Sequence, residues 1–406
     1  MQTSTSQGSI VSGKLFGLFC LASYLLSLSY GSTFLLSLLI SSRGGNEQDA
    51  GSVISIAMLS TFVAVILSGH LSDLLGAARS IALFGCLLVV SSLGFALTPG
   101  FGNALLFCGL MLGLGWGVFY TLGPIIVAML VEPVQRAKYF ALLSGSMMTG
   151  IGCGPLLGRA ASVLGYPVSA AFYIAAGASL VGALMFWRLG VALKPRPGLS
   201  GSAGVSKISW SATAQVLGSK AVFAIIMVGL GGCVFGGLSS FQTSYAASRS
   251  LDYSLFFLGF MGAAITSRLL IASIVVKHDA YGMSCLLSAL IVVSILMFRF
   301  VVDDGFSYVL AAVILGVGYG LTYSVINGLA ANEAPAGTTS QSLLLFSLAY
   351  FIGVFGFPLL AGRIIVEQGM PALLLTVLAV ALVNWLITVG RLIRRWMTVD
   401  NVLQKA

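Results

Sequence analysis

The sequence predicts an all-α membrane protein of twelve transmembrane helices in two six-helix halves. Three observations lead to this fold class. Of the 406 residues, 58% are hydrophobic and 8% are charged, about a third of the charged content of a soluble domain. The apolar residues gather in blocks of about 20, the length that crosses a bilayer as a helix. The same sequence landmarks also recur in both halves of the chain.

The apolar blocks are predicted to be helices. A membrane β-barrel would show short segments of alternating hydrophobicity, whereas these blocks are continuously apolar. In chain order they are 15–40, 53–71, 81–97, 104–131, 140–161, 170–189, 221–245, 255–276, 283–302, 308–331, 342–365 and 371–390.

The basic residues predict which way the chain is inserted. Lys and Arg concentrate in cytoplasmic loops, and 14 of the 20 fall on the side of the N-terminus in the alternation of twelve spans. Both termini are therefore predicted to be cytoplasmic. The net charge of +9 reflects this bias, and no nucleic-acid partner is predicted.

The N-terminus and the cysteines indicate no processing and no metal site. The first apolar block is too long for a signal-peptide core, so it is predicted to remain as the first span. Six cysteines lie singly in apolar blocks without a C-x-x-C pair. They are interpreted as small hydrophobic residues, and neither a metal nor another cofactor is predicted.

One long polar segment, 190–220, divides six blocks from six. It is basic and rich in Gly, Ser and Pro, a composition typical of flexible linkers. The predicted organisation is an N-terminal half 1–189, a cytoplasmic linker 190–220, a C-terminal half 221–390 and a cytoplasmic tail 391–406. Arg391, Arg394, Arg395 and Trp396 in the tail are typical of an interfacial anchor.

A repeat relates the two halves. Residues 112–120 read LGLGWGVFY and residues 315–323 read LGVGYGLTY, 203 positions later (315 − 112 = 203). The same offset pairs Gly150 with Gly353 and the Pro-Leu-Leu at 155–157 with that at 358–360, and an offset of 206 pairs the D-x-x-G of Asp73 with that of Asp279 (279 − 73 = 206). Three matches in order indicate duplication. Two parallel repeats are typical of transporters whose substrate site lies between the halves near mid-membrane.

The loop GHLSDLLGAARS, residues 69–80, resembles the G-x-x-x-D-x-x-G-x-[RK] loop of the major facilitator superfamily. The resemblance covers essentially the whole chain, although Leu74 stands where the family is usually basic. It implies a gating loop that stabilises an outward-open state, in which Gly69 allows close packing, Asp73 accepts hydrogen bonds and Gly76 turns the chain. The implied loop residues are Gly69, Asp73, Gly76 and Arg79, with Asp279 and Gly282 as counterparts.

A second motif, GIGCGPLLG at residues 150–158, resembles a pattern enriched in family members that export substrates in exchange for protons. It comprises Gly150, Gly154, Pro155 and Gly158. Gly150 and Gly154 present a flat helix face, and Pro155 can bend the span. The motif favours export, and glycine-mediated helix packing alone is the alternative.

In this superfamily spans one, four, seven and ten line the central cavity, so the resemblance assigns the aromatic residues of the repeat to its wall. Rings with hydroxyl or indole groups suit an amphipathic organic solute. Alternatively, each polar side chain bonds only a neighbouring helix. The predicted cavity residues are Tyr24, Tyr30, Trp116, Tyr120, Gln242, Arg268, Tyr319, Tyr323 and Asn327.

Arg268 lies 13 positions into the eighth block (268 − 255 = 13), about 20 Å along the helix. A cation at that depth is costly in lipid and is expected to face a cavity or a partner. We expect it to attract an anionic group of the substrate or a counter-ion of its own. A structural arginine bonded to carbonyls, or one reaching the interface, is the alternative.

All eleven acidic residues lie in loops or at span ends. Proton-coupled exporters of this family commonly use a mid-membrane carboxylate, so the sequence weakens the case for direct proton coupling. Asp49, Asp73 or an ionisable substrate remain as candidate proton carriers.

Other function classes fit less well. A membrane enzyme needs a nucleophile, a base or a metal set, but His70 and His278 lie beside Asp73 and Asp279 without metal-ligand spacing, and no Walker sequence appears. A sensor would carry an added soluble domain. We expect a monomeric secondary transporter that exports a small organic solute across the bilayer of a bacterial cytoplasmic membrane, with protons as a candidate partner. Uptake or facilitation is the main alternative.

Overall fold

The computed structural model describes residues 13–131, 136–192, 209–271, 275 and 278–403. Within them, twelve helices are long and apolar enough to cross a membrane, and they overlap the twelve predicted blocks one for one. Spans 1 to 12 are, in order, Lys14–Ser41, Glu47–Leu75, Ala77–Leu97, Asn103–Leu130, Lys138–Val163, Ser169–Ala192, Ala221–Ser240, Tyr253–Leu270, Ala280–Phe300, Gly305–Asn332, Thr339–Gln368 and Met370–Met397.

Local sequence fixes where several spans begin and end. Span 2 starts at a capping box, because the Asn46 side chain accepts from the Asp49 amide at 3.1 Å and the Asp49 carboxylate accepts from the Asn46 amide at 3.0 Å. Gly76, with φ of 83°, separates spans 2 and 3. Glycine adopts this conformation without strain, so the chain turns at Gly76 as the loop motif implies.

The spans pack as two six-helix halves. In the first half span 4 packs on spans 2 and 3, and span 1 packs on spans 5 and 6. In the second half span 10 packs on spans 8 and 9, and span 7 packs on span 11. The halves meet where span 2 contacts span 11 and where span 5 contacts span 8. These two helix pairs therefore form the interface on which any relative movement of the halves depends.

The repeated nonapeptides are explained by close helix packing. A Cβ atom on Gly113 would lie 2.2 Å from the Ala57 carbonyl oxygen, and one on Gly316 would lie 2.3 Å from the Phe260 carbonyl oxygen. Both the glycines and their contacts are 203 positions apart (316 − 113 = 203; 260 − 57 = 203). No side chain fits at either site, so the repeat preserves the same helix contact twice.

A hydrogen bond is repeated in the same register. The Ser91 hydroxyl donates to the Cys108 carbonyl at 2.8 Å, and the Ser294 hydroxyl donates to the Ala311 carbonyl at 2.7 Å. Again each residue has its counterpart 203 positions later (294 − 91 = 203; 311 − 108 = 203). The duplication inferred from sequence is thus present in backbone packing and in hydrogen bonding.

The span 5 motif packs against span 1. A Cβ atom on Gly154 would lie 2.2 Å from the carbonyl carbon of Gly31, and one on Gly150 would lie 2.3 Å from the Tyr24 oxygen. Gly158 faces the Leu35 side chain in the same way. Pro155 lies inside the helix without ending it. The glycines of this motif are therefore occupied in helix packing.

Span 11 departs from regular α-helix at the equivalent proline. A π-helical turn, Ile352–Gly356, precedes Pro358, and such turns alter the backbone bonding of a helix. Ser55 of span 2 compensates, since its hydroxyl donates to the Phe355 carbonyl at 2.6 Å and accepts from the Leu359 amide at 3.0 Å. This irregular turn thus ties span 11 to the opposite half.

Two segments differ from the expected linker and tail. A short helix, Trp210–Leu217, lies within the predicted linker, and the Gln341 side chain donates to the Thr213 hydroxyl at 3.1 Å; residues 193–208 lie outside the described part. The last helix runs from Met370 to Leu403, so the segment predicted as a tail continues span 12. Its basic residues reach the other helices, as described below.

Substituting Gly154→Val tests the contact between spans 1 and 5. The branched side chain has no room against Gly31, and overpacking costs about 1–3 kcal/mol, so the unfolding temperature in detergent should fall. Gly177→Ala in span 6 is the control, because a Cβ atom there meets nothing within 4 Å. Equal unfolding temperatures for the two variants would contradict the contact.

Candidate functional site

A cavity of about 580 Å³ lies between the two halves. This volume lies within the range of about 300–1,000 Å³ that small-molecule sites occupy. Its deepest wall includes Tyr30 and Phe235 in the middle of spans 1 and 7. Its rim includes Ala128, Phe140 and Ser340, close to the ends of spans 4, 5 and 11. The cavity therefore runs from mid-bundle toward the end where span 1 begins and spans 6 and 12 end.

Aromatic rings form most of the deep wall. Tyr30 stacks on Trp116 with ring centroids 4.6 Å apart, and on the other side Phe235 stacks on Tyr319 at 5.1 Å. Tyr350 stacks on Tyr120 at 6.1 Å. Stacked rings at these separations leave flat apolar surfaces, which suit a planar or amphipathic organic molecule.

Two equivalent tyrosines meet on the pseudo-two-fold axis. The hydroxyls of Tyr120 and Tyr323, 203 positions apart, are 2.8 Å from each other. Each tyrosine is the last residue of its copy of the repeated nonapeptide, and each lines the cavity. Because the pair is related by the repeat, its hydrogen bond crosses between the halves at the centre of the site.

Arg268 is the one charged residue on the described cavity wall. Its Nε donates to the Gly320 carbonyl at 2.9 Å, and its Nη1 donates to the Ser144 hydroxyl at 2.8 Å. The guanidinium lies 5.7 Å from the Tyr323 ring centroid, within reach of a cation–π interaction. No carboxylate among the described residues pairs with it. The sequence suggested either a cation that faces the cavity or a structural arginine bonded to carbonyls. Arg268 has features of both, because it faces the cavity and also bonds a carbonyl.

The opposite end of the bundle is closed by contacts between the halves. Phe34 of span 1 stacks on Phe257 of span 8 at 5.4 Å and meets Phe235 edge-on at 5.8 Å. A Cβ atom on Gly51 of span 2 would lie 2.3 Å from the Pro358 oxygen of span 11. Ring contacts and close backbone contacts thus join the two halves between the cavity and this end.

Polar contacts reinforce this closed end. The Ser37 and Ser244 hydroxyls are 2.8 Å apart across the halves, and Ser244 donates to Glu47 at 3.0 Å. Arg159 of span 5 pairs with Asp252 before span 8 at 2.6 Å. The halves are thus joined at one end while the cavity reaches toward the other, the arrangement expected of one state in an alternating-access cycle.

Seven of the nine predicted cavity residues line the cavity: Tyr30, Trp116, Tyr120, Arg268, Tyr319, Tyr323 and Asn327. Tyr24 does not, because its stretch of span 1 is covered by Gly150 of span 5. Gln242 does not either, since it is buried toward the closed end, where its side-chain oxygen accepts from the Tyr308 hydroxyl at 2.8 Å.

The expected set of lining helices also differs. Half of the 26 lining residues lie on spans 5 and 11, whereas spans 1 and 7 contribute one each. The reason is close glycine packing, which holds span 1 against span 5 and span 7 against span 11, where a Cβ atom on Gly353 would lie 2.2 Å from the Gly229 carbonyl oxygen. Sequence reasoning missed Met147, Met148, Tyr350 and Phe351. The repeat could have indicated them, because Met147 and Met148 precede Gly150 by the same distances as Tyr350 and Phe351 precede Gly353.

The gating-loop residues occupy unequal environments in the two halves. Asp279 caps span 9 by accepting from the Gly282 amide at 2.9 Å, and it pairs with Arg395. Asp73 is exposed, and among the described residues nothing donates to it. The implied hydrogen bonding is therefore found at Asp279 and is not made at Asp73 in this conformation. Gly69 is buried within span 2.

Arg79 and Arg391 each have a partner on another helix of their own half. The Arg79 guanidinium lies 6.0 Å from the Trp187 ring centroid. Arg391 pairs with both Glu333 oxygens at 2.5 and 2.6 Å, with side chains only 10% and 9% exposed. Arg391 thus joins span 12 to span 10 inside the second half, where the sequence had suggested an interfacial anchor. The Tyr281 hydroxyl donates to the same Glu333.

The candidate proton carriers lie away from the cavity. Asp49 is engaged in the cap of span 2 at the closed end, and Asp73 is exposed at the other end. The described lining residues include no carboxylate, lysine or histidine. Across the described ranges, no cluster of three metal-ligating side chains occurs. The chemistry available in the cavity is stacking, hydrogen bonding and one positive charge.

Comparison with known proteins now identifies the fold family. The model of the Major Facilitator Superfamily matches residues 17–358.

The chain belongs to the major facilitator superfamily.

Solved structures agree with this membership. The human organic anion transporter MFSD10 (TETRAN) superposes with a TM-score of 0.68 at 17% identity, over 92% of this chain and 99% of that one. A mutant of the peptide transporter POT gives 0.73 at 19%, over 94% of each chain. The nucleoside transporter NupG gives 0.71 at 15%, over 93% and 98%. These identities show a shared fold, while no curated protein matches in sequence.

Membership makes the chain a multi-pass membrane transporter of small molecules rather than an enzyme. The superfamily architecture places its substrate at the interface of the two repeats near mid-membrane. The cavity lined by Tyr120 and Tyr323 occupies that interface.

The ion pair at the closed end predicts a pH dependence of stability. Burial raises the pKa of Asp252, but hydrogen bonds from Ser254 and the pair with Arg159 outweigh it, so the pKa lies below its ordinary value of 3.8. A depressed pKa stabilises the folded state above the ordinary pKa, and this contribution is lost as pH falls through the folded-state pKa.

The difference in unfolding temperature between the wild type and Asp252→Asn should therefore be constant from neutral pH to about pH 5 and should shrink below about pH 4. Asp303→Asn, which alters a loop carboxylate at the same end that makes no ion pair, is the matched control. A difference that grows on acidification would contradict the pairing.

Proposed function

We propose that this transporter exports a small amphipathic organic anion across the cytoplasmic membrane by alternating access. The observation that carries the proposal is the central cavity of about 580 Å³ with Arg268 as the one charge on its described wall. The two halves would rock about the interfaces of spans 2 and 11 and of spans 5 and 8.

The cavity wall supports an aromatic or amphipathic solute. Paired rings such as Tyr30 with Trp116 and Phe235 with Tyr319 offer flat surfaces on two sides. The hydroxyls of Tyr120 and Tyr323 and the Asn327 amide supply a few hydrogen-bonding groups among apolar neighbours. Sites with this composition bind organic molecules by shape and orient them by a few polar contacts.

The positive charge of Arg268 supports an anionic substrate. A guanidinium bonded to neutral acceptors places an uncompensated positive charge on the cavity wall, in the last turn of span 8. A carboxylate or sulfonate would offset that charge and form charge-assisted hydrogen bonds with it. A cationic solute would meet repulsion instead. The shared fold with MFSD10, described as an organic anion transporter, makes organic anions the first class to test.

Two observations support export. The predicted topology sets the open end of the cavity in the cytoplasm, so the described conformation would receive solute from inside the cell. The span 5 motif resembles that of exporters. Its glycines also pack against span 1, so the motif supports the direction less than the topology does.

Transport by inside-out vesicles tests the function and its direction. Vesicles containing the protein are given matched aromatic anions, cations and neutral compounds, with and without an imposed pH gradient. Accumulation of the anions inside the vesicles is expected. Accumulation only in right-side-out vesicles would contradict export and indicate uptake, and a preference for cations would contradict the anion site. Collapse of the flux without a pH gradient would identify protons as the coupling ion.

Substitution of Arg268 tests the anion contact. Arg268→Ala removes the only positive charge of the described wall, and losing a hydrogen bond to a charged group corresponds to about tenfold or more in affinity. We expect anion transport to be abolished and Arg268→Lys to retain part of it. Arg363→Ala is the control, since Arg363 is 64% exposed and pairs with Glu367. Normal anion transport by Arg268→Ala would contradict the proposal.

A further inference from the structure

Arg268 joins the two halves. Its bond to Gly320 stays within the second half, because spans 8 and 10 both belong to it. Its bond to Ser144 reaches span 5 of the first half at 2.8 Å. The cation of the cavity is therefore also a connection across the moving interface.

Spans 5 and 8 are connected at two levels. At the closed end Arg159 pairs with Asp252 at 2.6 Å, and nearer the open end Arg268 bonds Ser144. Alternating access moves one half against the other, and helices at the interface shift by ångströms. A hydrogen bond is lost when its donor and acceptor separate by less than an ångström beyond 2.8 Å. A relative shift of this size between spans 5 and 8 would therefore break either connection.

The two connections differ in what can solvate or bind their charged groups after they break. Arg159 and Asp252 are 44% and 30% exposed, so water can solvate both charges when they part. Arg268 is partly buried and bonded only to neutral acceptors. A hydroxyl is a weaker partner for guanidinium than an anionic oxygen. An anion that enters the cavity competes with Ser144 for the same N–H group.

We propose that the bond between Ser144 and Arg268 is a latch that holds the empty carrier in this conformation and is released by an anionic substrate. The inference rests on the proposed function as an anion transporter. The empty carrier then reorients slowly and the loaded carrier reorients fast. Anion exchange is accordingly faster than net export, because an anion on one side accelerates the movement of an anion from the other.

The composition of the cavity supports the need for a bound anion during reorientation. The described lining residues contain no acid that could neutralise Arg268 in the empty carrier. An unpaired cation is costly to enclose away from water, whereas a cation with a bound anion is neutral. Ser144 positions Arg268 and its charge, and the anion both breaks the latch and compensates the charge during reorientation.

Flux measurements in proteoliposomes test the latch. Liposomes with the purified protein are loaded with labelled benzenesulfonate, which keeps its charge throughout the assay and does not leak as a neutral acid. Efflux is measured into buffer alone and into buffer with unlabelled benzenesulfonate. For the wild type we expect efflux about tenfold faster with outside anion, the factor that one charge-assisted hydrogen bond corresponds to.

Variants at two neighbouring serines separate the latch from general effects. Ser144→Ala removes the hydroxyl, so efflux into buffer alone should rise about tenfold and the acceleration by outside anion should fall toward onefold. Ser144→Thr keeps a hydroxyl and should keep the wild-type ratio. Ser146→Ala is the control, because that hydroxyl donates to the Leu142 carbonyl of its own helix at 2.9 Å and does not line the cavity.

Hydrogen–deuterium exchange gives a readout independent of transport. In the empty protein, Ser144→Ala should raise exchange about tenfold in residues 241–252 at the closed end, and Ser146→Ala should not. If wild-type efflux were equal with and without outside anion, the latch would be overturned and anion transport would still stand. The same conclusion would follow if Ser144→Ala kept both the wild-type ratio of the two efflux rates and the wild-type hydrogen–deuterium exchange. Absence of benzenesulfonate flux in every condition would overturn the proposed function as well.

Discussion

The backbone contacts made by paired glycines are the constraint on which the rest of this structure depends. In lipid, helices associate by close packing rather than by the hydrophobic effect. Gly113 and Gly316 let spans 4 and 10 touch their neighbours' backbones, and Gly150 and Gly154 do the same between spans 5 and 1. These contacts turn Trp116, Tyr120, Tyr319 and Tyr323 toward the axis. Larger residues at the glycine positions would separate the helices and disperse the aromatic wall.

Three sites with charged side chains lie in different environments and have different roles. At the closed end Arg159 and Asp252 neutralise each other near water. Inside the second half Arg391 and Glu333 form a nearly buried pair that links spans 10 and 12. Only Arg268 faces the cavity without an acidic partner among the described residues. In a low-dielectric site such a charge has a large effect on which solute can enter and on what the empty protein can do.

Sequence patterns predicted the parts of this structure that repeat or that recur within a short window. Continuous apolar blocks predicted all twelve spans, and the 203-residue offset predicted that Tyr120 and Tyr323 would be equivalent. The patterns could not show that these two hydroxyls bond each other, because that depends on where the axis passes. Tyr24 and Gln242 were misplaced for a related reason, since helix rotation and depth are set by tertiary packing. The partnership of Ser144 with Arg268, 124 positions apart, left no local signal.

A crystal structure of the protein with a bound aromatic sulfonate is the decisive measurement, because it shows where the positive charge of Arg268 is compensated. We expect sulfonate oxygens about 3 Å from the Arg268 guanidinium, the ring between the stacked aromatic pairs, and the Ser144 hydroxyl separated from Nη1. A sulfonate bound away from Arg268, or an intact bond between Ser144 and Arg268 beside the bound ligand, would rule out both the anion site and its latch.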